Sequence, residues 1–132
     1  MKPFHYFLFY VLTITGIWHS CTQPFAQGKI LYEYNCSRCH GMDGNGFEDL
    51  YPGILNSPYL NDKNLNLACV IAYGSTYLDA QRGTSADVPM PENQQLSLVE
   101  ILNIINYMAW EHGNGKQLKI DEVMWTLDNC TP

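Results

Sequence analysis

The segment NCSRCHG, residues 35–41, constrains this chain more than any other stretch. Cys36 and Cys39 are three positions apart, so one helical turn brings both sulfur atoms to the same side. His40 follows directly and adds an imidazole. Three chemistries use such a segment: a zinc site, a dithiol redox pair, or the covalent attachment of haem. The rest of the sequence has to discriminate between them.

Covalent haem is the interpretation that the remaining residues favour. Zinc would need two further ligands at matching spacing, and the other cysteines, Cys69 and Cys130, form no second Cys-x-x-Cys motif. A thioredoxin-type dithiol belongs to a β-α-β frame, and no such frame is visible. For haem, two thiols add to two vinyl groups and the adjacent imidazole reaches the iron. The motif therefore predicts a haem held by Cys36, Cys39 and His40.

The N-terminal region predicts export. An almost continuous apolar run over Phe4–Trp18 is too short to span a bilayer comfortably and is typical of a signal peptide, which we assign to residues 1–20. The following Cys21 resembles the lipidated cysteine of a lipoprotein, with residues 21–27 as a tether to the membrane. Cleavage after Ala26 and an uncleaved anchor are the alternatives.

The chain that follows the predicted signal is acidic. Residues 21–132 carry six basic side chains against thirteen acidic ones, a formal charge of −7. Nucleic-acid binding needs a basic surface and is not expected. Docking to a basic patch on a partner protein suits this charge, and so does a generally solvated acidic surface. With 132 residues the chain has room for one domain.

Helical patterns dominate the chain, and no β-alternation is convincing. Residues 27–36 and 65–73 place apolar side chains three or four apart, and Gly74 is the expected end of the second helix. The last helix has the strongest signal. Ser97 and Glu100 form a capping box ahead of a long apolar stripe, because each side chain can satisfy a backbone N–H at the helix start.

Two irregular stretches separate these helices. Residues 41–63 are rich in turn-forming residues, and residues 74–93 are also irregular. Loops of this length in a small domain usually wrap something or carry function. The helices alone would form a thin core, so a bulky apolar cofactor would supply its centre. We therefore predict an all-α fold in which three or more short helices and long loops wrap around one covalently bound haem.

Three segments together resemble the small single-haem cytochromes c of bacteria. They are GKILYEYNCSRCHGMDGNG, LYPGILNSPYL and VPMPENQQLSLVEILNIINYMAW. The resemblance implies the cytochrome c fold over residues 28–112, with residues 113–132 as a C-terminal extension. It also implies that Gly28 and Tyr32 on the first helix pack against Tyr107 on the last.

The resemblance further implies the second iron ligand and a support for the first. In this family a methionine from the loop before the last helix usually binds the iron opposite the histidine, and Met90 fits that position. The ligating histidine donates its other N–H to a proline carbonyl, which here would be that of Pro52. The expected cofactor-binding residues are Cys36, Cys39, His40, Met90 and Pro52, with His40 and Met90 on the metal.

The other methionines fit the ligand role less well. Met42 is too near the histidine to reach the opposite face of the haem, Met108 falls in the apolar stripe of the last helix, and Met124 lies in the tail. A methionine in such a stripe is more often a gap-filling core residue than a ligand. The side chains expected to line the haem are Tyr51, Ile54, Tyr59, Leu67, Ile71 and Tyr73.

Two cysteines remain outside the haem motif. Cys69 and Cys130 form an even pair in a compartment that the export signal makes oxidising. We therefore expect a disulfide that ties the C-terminal tail to the middle helix.

These expectations define a function. With both axial positions filled, the iron would cycle between its ferric and ferrous forms, so the chain is expected to carry single electrons and not to be an enzyme. The expected partners are redox proteins of the periplasm or cell envelope, a terminal oxidase or an exported dehydrogenase, and the membrane is reached through a lipid at Cys21. Two alternatives stay open. One is a haem enzyme or gas sensor with an open iron site, if Met90 does not bind, and the other is a non-haem lipoprotein.

Overall fold

The computed structural model describes residues 23–47, 50–55, 57–61, 64–82, 88–113 and 115–130, so the predicted signal peptide and Cys21 lie outside the described residues. These ranges hold six helices: α1 (Ala26–Asn35), α2 (Ser37–His40), α3 (Pro58–Asn61), α4 (Asn64–Arg82), α5 (Leu98–Glu111) and α6 (Ile120–Asp128). Within the same ranges β pairing is limited to one bridge between Phe47 and Tyr51, which confirms the all-α prediction. Among the described residues, no helix has both the length and the apolar composition that crossing a membrane requires.

The crossing of α1 and α5 is the centre of the fold. Gly28 is buried in α1, where an added Cβ would overlap Asn103 O and lie 2.7 Å from Tyr107 Cβ. The two helix backbones can approach this closely because glycine has no side chain. The rings of Tyr32 and Tyr107 fill the crossing, with their centroids 5.6 Å apart. The predicted packing of Gly28 and Tyr32 against Tyr107 is confirmed.

The start of α5 lies where the capping box predicts it. The Oγ of Ser97 accepts the N–H of Glu100 at 3.4 Å, and the Oε2 of Glu100 accepts the N–H of Ser97 at 2.8 Å. Two backbone donors that the first turn would leave unpaired are thus satisfied. The helix then buries one apolar face, formed by Ile101, Ile104, Ile105, Tyr107, Met108 and Ala109.

The second half of α4 differs from the sequence-based expectation. We expected the helix to end at Gly74 and the chain beyond it to be irregular, but the helix continues to Arg82 across a non-helical residue. Gly74 has φ 55° and ψ −137°, a conformation that is accessible to glycine and strained for other residues. The continuation depends on tertiary contacts, because Tyr77 in the second half is buried in the core. A local pattern does not reveal such contacts.

The C-terminal extension forms a helix that the sequence analysis did not predict. In α6, Val123 and Thr126 are buried, and Leu118 is buried just ahead of it. The helix packs against α4 and α5. A disulfide joins Cys69 in α4 to Cys130, with the two Cα atoms 5.7 Å apart, which confirms the predicted pairing. The extension is therefore part of the packed core.

Candidate haem-binding site

A cavity of about 320 Å³ opens between the α1–α2 turn, the loop before α3, α4 and the loop before α5. Its volume falls in the range of about 300–1,000 Å³ that is typical of ligand pockets. Four of the residues that line it have nitrogen or sulfur in their side chains: Cys36, His40, Met90 and Met108. The apolar side chains that line it include Ile54, Tyr59, Leu67, Val70, Ile71 and Leu78.

Cys36 is the N-cap of the short helix α2, and Cys39 lies within that helix. The N–H groups of Cys39 and His40 both donate to Cys36 O, at 3.2 and 3.0 Å. Both thiols are free and half-buried. Cys36 lines the cavity, whereas Cys39 is not part of its lining. Burial, with a smaller contribution from Cys39, raises the pKa of the Cys36 thiol to about 12. A reactive redox dithiol needs a lowered pKa, so the site does not suit dithiol exchange.

The Pro52 carbonyl orients the imidazole of His40. The Nδ1 of His40 lies 2.9 Å from Pro52 O, and because a carbonyl can only accept, Nδ1 must be the donor. In the neutral ring the lone pair is then on Nε2, which is the form that binds a metal. The loop between the two residues supports this contact: Gly46 N–H donates to His40 O at 2.8 Å, and the bridge between Phe47 and Tyr51 turns the chain back toward Pro52.

Met90 reaches the cavity from a loop that is held against the break in α4. Ser75, directly after the break, is buried. Its N–H donates to Met90 O at 2.9 Å, and its Oγ accepts the N–H of Met90 at 2.6 Å. A Cβ on Gly74 would overlap Met90 O and lie 2.6 Å from Pro91 O. The absence of a side chain at Gly74 therefore lets the loop lie directly on the helix.

The expected lining is found in part. Ile54, Tyr59, Leu67 and Ile71 line the cavity, whereas Tyr51 and Tyr73 are not part of its lining. Four further residues that were not expected there also line it: Tyr32, Val70, Leu78 and Met108. We had assigned Met108 to the core stripe of α5 alone. It is indeed buried there, and it also borders the cavity, because helical periodicity identifies a buried face but not what covers it.

His112 adjoins the site without lining the cavity. Its ring lies 6.0 Å from the rings of Tyr32 and Tyr107, and its buried Nε2 has no hydrogen-bond partner among the residues that the structure describes. Burial lowers the pKa of His112, while the negative charges of Glu111 and Asp43 act in the opposite direction. No role for this imidazole follows from the sequence motifs.

The residues at the cavity fit a c-type haem. One of the two free thiols at Cys-x-x-Cys spacing lines it, an imidazole presents an Nε2 lone pair, a thioether enters from a separate loop, and the remaining walls are largely apolar. Imidazole and thioether are the axial donors of haem in cytochromes c. In the described part of the chain, no group of three or more His, Cys, Asp and Glu side chains is arranged to hold a metal ion by itself.

Helices of this kind around such a cavity define a c-type cytochrome. The chain belongs to the cytochrome c family, whose family model matches residues 25–111. Membership implies a covalently bound haem c with its iron as the cofactor, and electron transfer as the function.

Similar proteins are subunits of a larger enzyme. The chain is 33% identical over 90 residues to the cytochrome c subunit of the quinone alcohol dehydrogenase of Gluconobacter oxydans (strain 621H), which covers 67% of this chain and 19% of that subunit. It is 30% identical over 89 residues to the subunits of the same description from Gluconacetobacter polyoxogenes and Komagataeibacter europaeus. The chain therefore spans about a fifth of the length of the curated relatives that it matches.

Proposed function

We propose that this chain carries single electrons through a haem that is attached to Cys36 and Cys39 and bound at its iron by His40 and Met90. The observation that carries the proposal is that His40 and Met90 line one cavity, each held by hydrogen bonds from another part of the chain. When bound, the haem supplies a one-electron ferric/ferrous couple.

The chain's own residues control the access of water to the haem, the orientation of its ligands and its reduction potential. The apolar walls keep water away, and the Pro52 carbonyl holds the His40 ring with its Nε2 lone pair available. A methionine as the second axial ligand raises the reduction potential. With both axial positions filled there is no site for a substrate at the iron, so we propose that the protein is an electron carrier and not an enzyme.

The partner that we propose is a dehydrogenase of the cell envelope that passes electrons to this chain. Two observations support it: the relatives are cytochrome subunits of a quinone alcohol dehydrogenase, and the N-terminal apolar run resembles a signal peptide. The excess of acidic residues suits docking to a basic patch on the partner. A terminal oxidase that accepts electrons from this chain is the alternative partner.

The ligand assignment is tested with Met90→Ala and with Met42→Ala as a matched control. Met42 is 57% exposed and does not line the cavity. We expect M90A to lose the sulfur-to-iron charge-transfer band while its haem survives a denaturing gel, and M42A to keep both. A band that persists in M90A would contradict the ligation. Rapid carbon monoxide binding to the reduced wild type would favour an open iron site and an enzyme or sensor instead.

A further inference from the structure

The break in α4 leaves backbone N–H and C=O groups without helical partners. These groups form hydrogen bonds with the loop that carries Met90. In an unbroken helix the N–H of Ser75 would bond to Ile71 O, four residues earlier. Instead it donates to Met90 O. Asn93 donates hydrogen bonds to two helix carbonyls ahead of the break: its Nδ2 to Ile71 O at 3.3 Å and its N–H to Ala72 O at 3.0 Å. The loop is therefore hydrogen-bonded to the helix at Met90 and again at Asn93.

Ser75 is the residue that acts on Met90 directly. Its N–H and its Oγ both bond to Met90, one to the carbonyl and one to the amide. Ser75 is 7% exposed, so neither bond is easily replaced by water. A buried donor without an acceptor destabilises the state that contains it. With the backbone of Met90 fixed on both sides, the side chain can enter the cavity from one direction.

We propose that Ser75 is the positioning residue for the Met90 thioether, and that its hydroxyl keeps external ligands from displacing the methionine. The inference rests on the proposed ligation by Met90. Displacing the methionine opens the loop, and opening the loop breaks both bonds to Ser75. Without the hydroxyl, the closed state retains an unpaired Met90 N–H, while in the open state water satisfies that group. The hydroxyl therefore shifts the equilibrium toward the closed, ligated state.

The test is imidazole binding to the ferric protein with its haem attached. We expect Ser75→Ala to bind imidazole about tenfold more tightly than the wild type, as the loss of the hydrogen bond between the half-buried Met90 amide and the buried Ser75 hydroxyl implies. Ser75→Thr keeps the hydroxyl and should bind like the wild type. Thr126→Val is the control for a purely structural effect. It removes a buried hydroxyl that donates to Glu122 O within α6, so it should lower stability without changing imidazole affinity.

The outcomes separate this inference from the ligand assignment. If M90A keeps the charge-transfer band, the ligation is wrong and Ser75 has no ligand to position. If M90A loses the band but S75A binds imidazole like the wild type, the positioning role alone is wrong. Should S75A fail to fold, amide exchange in the wild type decides. Imidazole should accelerate exchange of the Met90 N–H, and an unchanged rate would overturn the role of Ser75.

Discussion

Breaking the disulfide between Cys69 and Cys130 should remove a large part of the stability of the holoprotein. The bond spans 61 residues of sequence, and it fastens the end of α6 to α4. The proposed haem attachment at Cys36 and Cys39 lies outside this loop, so the haem does not restrain the two ends in the unfolded chain. The disulfide is then the restraint that limits the separation of its two ends after unfolding.

The size of the effect follows from the loop length. Closing a loop of 61 residues lowers the entropy of the unfolded chain by an amount worth about 4 kcal/mol at 25 °C in the chain-entropy model. Domains of this size are stable by only about 5–15 kcal/mol. We therefore expect Cys69→Ala/Cys130→Ala to lose about 4 kcal/mol in free energy of unfolding, with a further small loss because Cys69 is 2% exposed and its sulfur leaves a gap.

The assay is denaturant unfolding followed by circular dichroism, with ascorbate keeping the iron ferrous in every sample. Wild type with and without a thiol reductant provides a control without mutation, since the reductant opens the disulfide and leaves thioether links intact. Reduced wild type and the double variant should unfold at similar denaturant concentrations. A loss below about 1 kcal/mol in both would refute the reasoning, because the unfolded state would then not be restrained as the chain-entropy model requires.

Three further predictions concern packing and pH. Gly28→Ala should lower the free energy of unfolding by about 1–3 kcal/mol through overpacking at the α1–α5 crossing, measured by denaturant unfolding, while Gln27→Ala at an exposed site of α1 should change it little. Because burial lowers the pKa of His112, the unfolded chain binds the proton more readily. Stability should fall as pH drops from about 6.5 toward the folded pKa, and equal pH slopes in wild type and His112→Phe would argue against this. Hydrogen bonds from Ser97 lower the pKa of Glu100. The stability that the charged Glu100 contributes as a cap should therefore be fully present above about pH 4.3, and it should be lost as pH falls through the pKa of Glu100 in the folded state. Thermal melts of Glu100→Gln should lack this acid-dependent component.

Where the signal is local, the sequence predicts this protein well. The Cys-x-x-Cys-His segment lies on one short turn, and its chemistry is implied by residue types three and four positions apart. The start of α5 follows from Ser97 and Glu100, because a capping box satisfies backbone groups within one turn. The Gly28 approach was implied by resemblance to the family, and the structure supplies its reason in the overlap that a Cβ would create with Asn103 O.

Contacts between distant segments could not be predicted in the same way. Periodicity identified Met108 as buried but could not tell that it also borders the cavity. Gly74 was predicted to end the helix, yet the helix resumes after it because Tyr77 packs into the core. The C-terminal helix was missed although local signals mark it: Glu122 accepts the N–H of Lys119 at its start, and its apolar side chains share one face. What the sequence could not show is that Val123 and Thr126 on this face are buried against α4 and α5.

The sequence by itself therefore determined the chemistry of the haem attachment and the start of α5. The tertiary structure decided how the candidate ligand Met90 is held. Ser75 and Met90 are fifteen residues apart, and they bond because Gly74 breaks α4 and frees the backbone groups that the loop uses. A hydrogen bond across such a separation depends on how the whole chain packs, whereas a capping box or a Cys-x-x-Cys-His turn depends on a few neighbouring residues.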